Sequence, residues 1–339
     1  MADSVTNGAL TRRQMLLGTG AALALPALLS PPARAAQAGS LRLGVLPFGT
    51  VQWELDTIRR FGLDKEAGLT IVPVELAGPQ AGQVALQGGS VDVITNDWLW
   101  VARQRATGTN LAFLPYTASL GAVIVPGNSP MKSLADLKGR RIGVAGSALD
   151  KSWLMLQAHA KQAHGLDLAT AAEPVYAAPP LLSQQLEAGR IDAALTYWHF
   201  AAKLEAKGMR QLAGMDEVTR GLGVTTEVPM VGYCFKEDWA KANSAAVAAF
   251  ADCSRKAKEI LARDDAAWAP LRPLMGADSD AAALRLRDRF REGIPTKWGE
   301  PERKDAAALF TLLAKLGGPE LVGSATTIPE GTFWPLAWG

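Results

Sequence analysis

The feature that most constrains this chain is a regular alternation of short β-rich runs with helix-forming segments. Four strand-like runs occur at 41–46, 68–74, 91–95 and 111–115, and helical or glycine-bounded segments separate them. Strand–helix–strand units of this kind place consecutive strands parallel in one sheet and cover its faces with helices. This part of the chain therefore predicts an α/β lobe.

A second series of the same kind begins with the stretch 133–150. It contains a short helical turn at 134–137, a buried strand at 142–145, a Gly146–Ser147 turn and a helix starting near Leu149. A strand that ends in Gly-Ser before a helix directs backbone N–H groups and a positive helix end at one spot. Further strands at 173–176 and 191–196 alternate with helices, which predicts a second α/β lobe.

The chain crosses between these two lobes twice. A strand at 121–126 leaves the first series, and a strand at 228–235 returns to it before a helix-rich C-terminal part. Two crossings form a hinge of two strands, which allows two rigid lobes to close on a ligand. We therefore predict that lobe 1 comprises residues 36–120 and 229–339, and that lobe 2 comprises residues 121–228.

The letters SPMKSLADLKGRRIGVAG, at 129–146, resemble the start of the second lobe in periplasmic substrate-binding proteins of ABC importers. The similarity is to the nitrate/sulfonate/taurine-type group and extends over about residues 41–261. It implies a type II-like two-lobe α/β fold, in which each lobe is a mostly parallel sheet flanked by helices. It also implies a monomer without a cofactor that binds a small molecule and contacts the membrane only through an ABC permease, which a cytoplasmic ATPase drives.

The N-terminal segment is typical of an export signal. Arg12 and Arg13 precede a modest apolar run, and Ala33–Arg34–Ala35 fits the small-x-small pattern of a cleavage site. We expect twin-arginine export to the periplasm with cleavage near Ala35, and a Sec signal is the alternative. The chain has 35 Lys and Arg and 33 Asp and Glu residues, a balance that does not favour nucleic-acid binding.

The two cysteines, Cys234 and Cys253, follow the predicted leader. In an oxidising compartment they could form a disulfide. The alternative is two buried thiols, one in a strand and one in a helix, and this interpretation is slightly favoured.

The candidate ligand contacts follow the strand ends, because ligands of open α/β sheets bind at the carboxyl ends of strands. In lobe 1 they are Phe48, Gly49, Thr50, Trp53, Asn96, Asp97, Trp98 and Tyr116. In lobe 2 they are Gly146, Ser147, Ala148, Trp153, Tyr197 and Trp198. Aromatic side chains supply contact area, and the few polar groups fix orientation.

Several of these tryptophans have an alternative role in the core. Trp53 and Trp153 lie within the first turn or so of their helices, where they could equally be helix core. Trp98 and Trp100 cannot share one helix face. We expect Trp98 to face the cleft, because it lies nearest the strand end.

The polar candidates also have alternatives. Asp97 could serve only as a helix N-cap, and we expect His199 to be exposed or hydrogen-bonded. Apart from Lys151, no Arg or Lys falls at a predicted strand end. The resemblance and the aromatic candidates imply a small organic solute that is sulfonate-, pyrimidine- or aromatic-like. Because basic residues are scarce at the strand ends, we expect the Gly146–Ser147 turn to hold a neutral or weakly polar group rather than a bare sulfonate.

An enzyme is not favoured by the sequence. It has no Gly-x-Ser-x-Gly motif, dinucleotide fingerprint or phosphate-binding loop. His159 and His164 are five residues apart, the wrong interval for a shared metal face on a helix. The remaining alternatives are a binding protein for a metal or metal chelate, and a non-transport receptor or enzyme on the same two-lobe fold.

Overall fold

The computed structural model describes residues 39–336, so the predicted leader and its cleavage site lie outside the described residues. The strands are β1 (Gly39–Val45), β2 (Leu69–Glu75), β3 (Val93–Asp97), β4 (Leu111–Thr117), β5 (Gly121–Val125), β6 (Arg141–Ala145), β7 (Glu173–Ala177), β8 (Ala193–Tyr197), β9 (Arg210–Gly214) and β10 (Val231–Lys236). The alternation of strands and helices in the sequence is thus present in the structure.

The helices fall between these strands and then follow β10. They are α1 (Val51–Arg60), α2 (Leu63–Glu66), α3 (Pro79–Gly88), α4 (Trp98–Ala106), α5 (Lys151–His164), α6 (Leu168–Ala171), α7 (Pro179–Glu187), α8 (Trp198–Ala206), α9 (Met215–Gly221), α10 (Glu237–Ala242), α11 (Ser244–Arg263), α12 (Arg272–Met275), α13 (Asp280–Glu292) and α14 (Glu300–Val322). Short 3₁₀ helices lie at Leu134–Leu137 and Ala266–Leu271. Within residues 39–336, no helix is long and apolar enough to cross a membrane.

The strands form two sheets with the same internal arrangement. Sheet 1 has the order β2-β1-β3-β10-β4, and sheet 2 has the order β7-β6-β8-β5-β9. In each sheet one strand runs antiparallel to its neighbours, β10 in sheet 1 and β5 in sheet 2. These are the strands that follow the two crossings, so the predicted two-lobe α/β fold is confirmed.

Some boundaries differ from the sequence-based expectations. The returning strand begins at Val231 rather than at residue 228, and Pro229 explains this because proline cannot donate to a strand ladder. Helix α9 was not predicted. Its short amphipathic segment follows β9 directly and buries only Met215 and Val218.

The C-terminal helices contact the helices of both sheets and thereby connect the two halves of the structure. Helix α13 packs on α8, and α14 contacts both α4 and α5. After α14 the chain reaches β4, where the Phe113 N–H donates to the Thr332 carbonyl at 2.8 Å and the Trp334 N–H donates to the Phe113 carbonyl at 2.9 Å. The tail thereby covers an edge strand that would otherwise present unpaired backbone groups.

The two cysteines are separate buried thiols. Cys234 lies in β10 and Cys253 lies in α11. Burial raises the pKa of Cys253 to about 11 and also raises the pKa of Cys234. Both thiols are therefore protonated at neutral pH and pack as small apolar groups.

A buried ionic network joins α1, α11 and β10. The Lys258 ammonium donates to Glu54 Oε2 at 2.5 Å and to Ser254 Oγ at 2.6 Å, and the Tyr233 hydroxyl donates to Glu54 Oε1 at 2.6 Å. The Glu54 and Lys258 side chains are only 1% and 8% exposed. Lys258 also lies 4.8 Å from the ring centroid of Tyr116.

We predict that Lys258→Met strongly destabilises the fold, because it leaves the Glu54 carboxylate buried without its cation. The expected loss is about 3–5 kcal/mol in the free energy of unfolding, measured by urea denaturation. The matched control is Lys256→Met on the same helix, whose exposed pair with Asp252 should contribute less than about 1 kcal/mol. Equal losses in the two variants would show that the buried pair has no special role.

Candidate ligand-binding site

The end of strand β3 contacts the start of helix α5, which follows β6 of the other sheet. Strand β3 ends at Asp97, and one of its carboxylate oxygens, Oδ1, accepts a hydrogen bond of 2.8 Å from the Trp100 N–H as the N-cap of α4. The other oxygen, Oδ2, lies 3.3 Å from the ammonium of Lys151, at the start of α5. Asp97 is therefore both a helix cap and a contact between the sheets.

Three further groups surround this contact. The Asp150 carboxylate caps α5 by accepting from the N–H groups of Ser152 and Trp153 at 2.9 and 3.2 Å. Tyr197, at the end of β8, is near enough for the charges of Asp150, Lys151 and Asp97 to act on its hydroxyl. We call Asp97, Asp150, Lys151 and Tyr197 the sheet-edge cluster.

The charges of the cluster set its protonation states. Burial alone would lower the pKa of Lys151, but Asp97 and Asp150 outweigh burial and the pKa is raised. Burial, followed by the charge of Asp150, raises the pKa of the Tyr197 hydroxyl. At neutral pH the lysine is therefore charged, and the tyrosine is a neutral hydrogen-bonding group.

Polar atoms beside the cluster lack hydrogen-bond partners among the described residues. They are Asn96 Nδ2 in β3, Thr196 Oγ1 in β8 and both ring nitrogens of His199 in α8. Asn96 uses its Oδ1 to accept from the Asp97 N–H at 2.9 Å. Buried polar atoms are usually paired, so these unsatisfied groups are candidates to bind a polar solute.

His199 differs from the expectation of an exposed or hydrogen-bonded side chain. Its two ring nitrogens are buried, and its ring packs at 4.6 Å from Phe200 and 5.4 Å from Trp198. Burial, with a smaller contribution from Lys203, lowers the pKa of His199 to about 3. The imidazole is thus neutral at pH 7, with one nitrogen a donor and the other an acceptor.

The loop after β6 and the loop after β1 lie at the surface. Gly146, Ser147 and Ala148 are exposed, and Ser147 Oγ accepts locally from the Leu149 N–H at 3.2 Å. Phe48 is 48% exposed. Gly49 completes a turn by donating its N–H to the Leu46 carbonyl at 3.0 Å.

Thr50, the N-cap of α1, and Tyr116 of β4 are buried between the helix and sheet 1 instead of lying in a cleft. Their hydroxyl groups share a hydrogen bond of 2.9 Å, and both side chains are buried. Tyr116 packs on Tyr233 and on Lys258. These two candidates therefore extend the buried network under α1.

Trp53 and Trp198, which we expected as ligand contacts, are both buried and pack against each other under a cover of helices. Their rings are 5.8 Å apart and nearly perpendicular. Trp53 also contacts Trp268 and Phe290, and its indole N–H donates to the Leu274 carbonyl at 3.2 Å. The pair is therefore an aromatic contact between sheets that the C-terminal segment seals.

Trp98 and Trp153 lie in the interior, which corrects our expectation for Trp98. The Trp98 side chain is fully buried and packs against Phe310 of α14 and Phe333 of the tail. Trp100 is the partly exposed member of the pair. Trp153 is also buried in the core, as the alternative role allowed.

The two crossings are held by the C-terminal helices. The Thr117 hydroxyl and the Ala118 N–H both donate to the Gly293 carbonyl just after α13, at 3.1 and 3.0 Å. On the second crossing, the N–H and hydroxyl groups of Thr225 and Thr226 all donate to Asp305 Oδ2 at 2.7–3.0 Å. Both crossings therefore have defined anchors on the C-terminal helices.

A cavity of about 540 Å³ lies beside these crossings. It is bounded by both crossing segments, α9, α13 and α14, and its lining includes Glu227, Arg289 and Glu292. Its lining does not include the sheet-edge cluster. We call it the crossover cavity. Within residues 39–336, no three His, Cys, Asp or Glu side chains are grouped so that they could hold a metal ion.

The comparison with protein families places this chain. The family model described as "NMT1/THI5 like" matches residues 62–267, well over half of the chain. The chain belongs to the NMT1/THI5-like family. This match supports the resemblance to substrate-binding proteins that we noted at residues 129–146. A search of curated protein sequences found no match to this chain.

Solved structures share the fold of this NMT1/THI5-like protein. The alkanesulfonate-binding protein SsuA from Xanthomonas axonopodis pv. citri, bound to MOPS, has a TM-score of 0.67 at 21% identity, over 88% of this chain and 99% of that one. The periplasmic aliphatic sulphonate-binding protein SsuA from Escherichia coli has a TM-score of 0.68 at 22% identity, over 87% and 97%. At these identities the likeness establishes the two-lobe fold.

The burial of His199 predicts a pH dependence of stability. Its folded-state pKa of about 3 lies below the ordinary value of 6.5, so the unfolded chain binds a proton that the folded protein does not. The free energy of unfolding should therefore fall as the pH decreases from about 6.5 towards 3. His199→Gln should make this decrease shallower, measured by denaturation at several pH values.

The control is His164→Gln, which changes an exposed histidine at the end of α5. This variant should keep the pH dependence of the unsubstituted protein. A parallel curve for His199→Gln would contradict the assignment of a buried, neutral imidazole.

Proposed function

We propose that this protein is the periplasmic solute-binding component of an ABC importer and captures a small organic solute between two lobes. The observation that carries the proposal is the sheet-edge cluster, where Asp97 at the end of β3 and Lys151 at the start of α5 come within 3.3 Å. In open α/β sheets, ligands bind outside the carboxyl ends of the strands. Membership of the NMT1/THI5-like family and the fold shared with the SsuA proteins support this function.

Solute capture requires the two lobes to separate and close again. We assign residues 36–120 and 229–339 to lobe 1 and residues 121–228 to lobe 2. The crossings near 118–121 and 224–230 then form the hinge, with the Gly293 carbonyl and the Asp305 carboxylate as its anchors. A solute that contacts both lobes binds the closed state more tightly than the open state. The difference between these two affinities sets how far the population shifts towards the closed state.

The residues proposed to contact the solute are those near the sheet-edge cluster that have free hydrogen-bonding capacity. Asn96 offers an N–H donor from lobe 1, and Tyr197 and His199 offer neutral aromatic and polar groups from lobe 2. Phe48 and the loop 146–148 form the exposed rim. Trp98, Trp153, Thr50 and Tyr116 are left out of this set because they are committed to the interior.

The proposed partners follow from this role. The closed form would dock on a membrane permease, and an ATPase would drive import on the cytoplasmic side. Export to the periplasm, with removal of the segment before residue 36, would place the protein where it meets its solute. A binding protein of this kind binds its solute stoichiometrically and does not convert it, so it is not an enzyme.

A thermal-shift screen tests the proposal directly. The exported protein is screened against ethanesulfonate, taurine, cytosine, benzyl alcohol, simple amines and divalent metal ions. A bound solute raises the melting temperature because it stabilises only the folded state. We expect a shift with at least one organic solute, whereas shifts confined to metal ions would contradict the proposal.

The solute found in this way then tests the site. Asn96→Ala and Tyr197→Ala should each weaken its binding by about tenfold, the value of one hydrogen bond, measured by isothermal titration calorimetry. The matched control is Tyr176→Ala, which removes an exposed tyrosine from β7. If the affinity is unchanged in both site variants, the solute binds elsewhere.

A further inference from the structure

The sheet-edge cluster holds its cation in a neutralised state. The Lys151 ammonium contacts Asp97 at 3.3 Å, and these side chains are 15% and 23% exposed. Asp150, the preceding residue, adds a second negative charge that acts on the same lysine. The cation that a solute would meet at this edge is thus compensated by two carboxylates.

The helix ends at the same edge are occupied as well. The N-terminus of a helix is an anion site when its N–H groups are free. At α4 the Trp100 N–H donates to Asp97, and at α5 the N–H groups of Ser152 and Trp153 donate to Asp150. Each of these helix ends carries a carboxylate of the protein itself, which repels a second anion.

The groups left over are neutral. Asn96 Nδ2 is a free donor, the imidazole of His199 is uncharged, and Tyr197 carries a neutral hydroxyl. Helix α8 begins after Tyr197 without a side-chain hydrogen bond at its cap, and its first N–H, that of Trp198, donates to the Leu120 carbonyl at 3.3 Å. These groups suit hydrogen-bond acceptors and aromatic surface on an uncharged or positively charged solute.

Resting on the function proposed above, we propose that Asp97 determines the ligand class of this cleft. Its carboxylate masks Lys151, so the cleft accepts neutral or cationic organic solutes and rejects anions such as sulfonates. Asp97 is the carboxylate in contact with the Lys151 ammonium, whereas Asp150 is engaged by the N–H groups of α5. Removal of the Asp97 charge should therefore free the ammonium to bind an anion. Asp97 is thereby assigned a specificity role in addition to its role as the cap of α4.

The test is a gain of binding for ethanesulfonate in Asp97→Asn. Asparagine caps helices about as well as aspartate, so α4 keeps its N-cap while the negative charge is lost. Calorimetry should show no measurable ethanesulfonate binding by the unsubstituted full chain. Asp97→Asn should bind ethanesulfonate measurably. The gain in affinity over the detection limit set by the unsubstituted chain should be about 10- to 100-fold, the range for a hydrogen bond to a charged group.

Two further variants make the result specific. Asp97→Asn combined with Lys151→Met should lose the gained binding, because the unmasked cation is then absent. Asp92→Asn removes the partner of Arg42 at the opposite end of β3 and should behave like the unsubstituted protein. Asp97→Ser, which also retains a capping side chain, provides the same test if Asp97→Asn folds poorly.

The inference and the proposed function fail in different ways. Two results overturn the masking role and leave solute capture standing. In the first, the unsubstituted protein binds ethanesulfonate as tightly as Asp97→Asn does. In the second, the unsubstituted protein binds a neutral solute but Asp97→Asn gains no ethanesulfonate binding. If neither protein binds any solute of the panel, both are overturned.

Discussion

The site depends on the contact between the Asp97 carboxylate and the Lys151 ammonium. The two sheets share no strand pairing within the described chain, and this contact joins the end of β3 in sheet 1 to the start of α5, which follows β6 of sheet 2. A charged pair in a half-buried setting interacts more strongly than one in water, but it also costs desolvation. A pair formed between lobes stabilises only the state in which the lobes touch. In the proposed function it therefore favours the closed state.

The C-terminal helices limit how the sheets can move against one another. Arg289 of α13 forms two hydrogen bonds to the buried Glu205 of α8, at 2.6 and 3.2 Å. The aromatic contact of Trp53 with Trp198 lies beneath the same helix. With Gly293 holding one crossing, the segment around α13 contacts both sheets and a crossing. In the proposed function, closure would bend the crossings, because the packed elements on either side resist deformation.

Much of this arrangement could be predicted from the sequence, because it depends on local pattern. The alternation of strands and helices predicts both sheets, and the residues at the ends of β3 and β8 follow from strand position alone. The capping role of Asp97 is also local, since it needs only a helix start after a strand. Its contact with Lys151 is different, because it depends on the distance between two sheets, which no local pattern records.

The burial of individual tryptophans could not be predicted from the sequence. The choice between Trp98 and Trp100 depends on which face of α4 meets α14, some 200 residues later in the chain, and Phe310 on that helix decides it. The burial of Trp53 likewise depends on Trp268 and Phe290 from the C-terminal part. Unpaired atoms such as Asn96 Nδ2 appear only once every neighbour is in place.

The central claim is that the solute binds between the ends of β3 and β8. A crystal structure of the protein grown with the solute found by screening tests it most directly. The account predicts solute density within hydrogen-bond distance of Asn96 and Tyr197, with both sheets in contact with the molecule. Density in the crossover cavity instead, with the sheet-edge cluster unchanged, would contradict it.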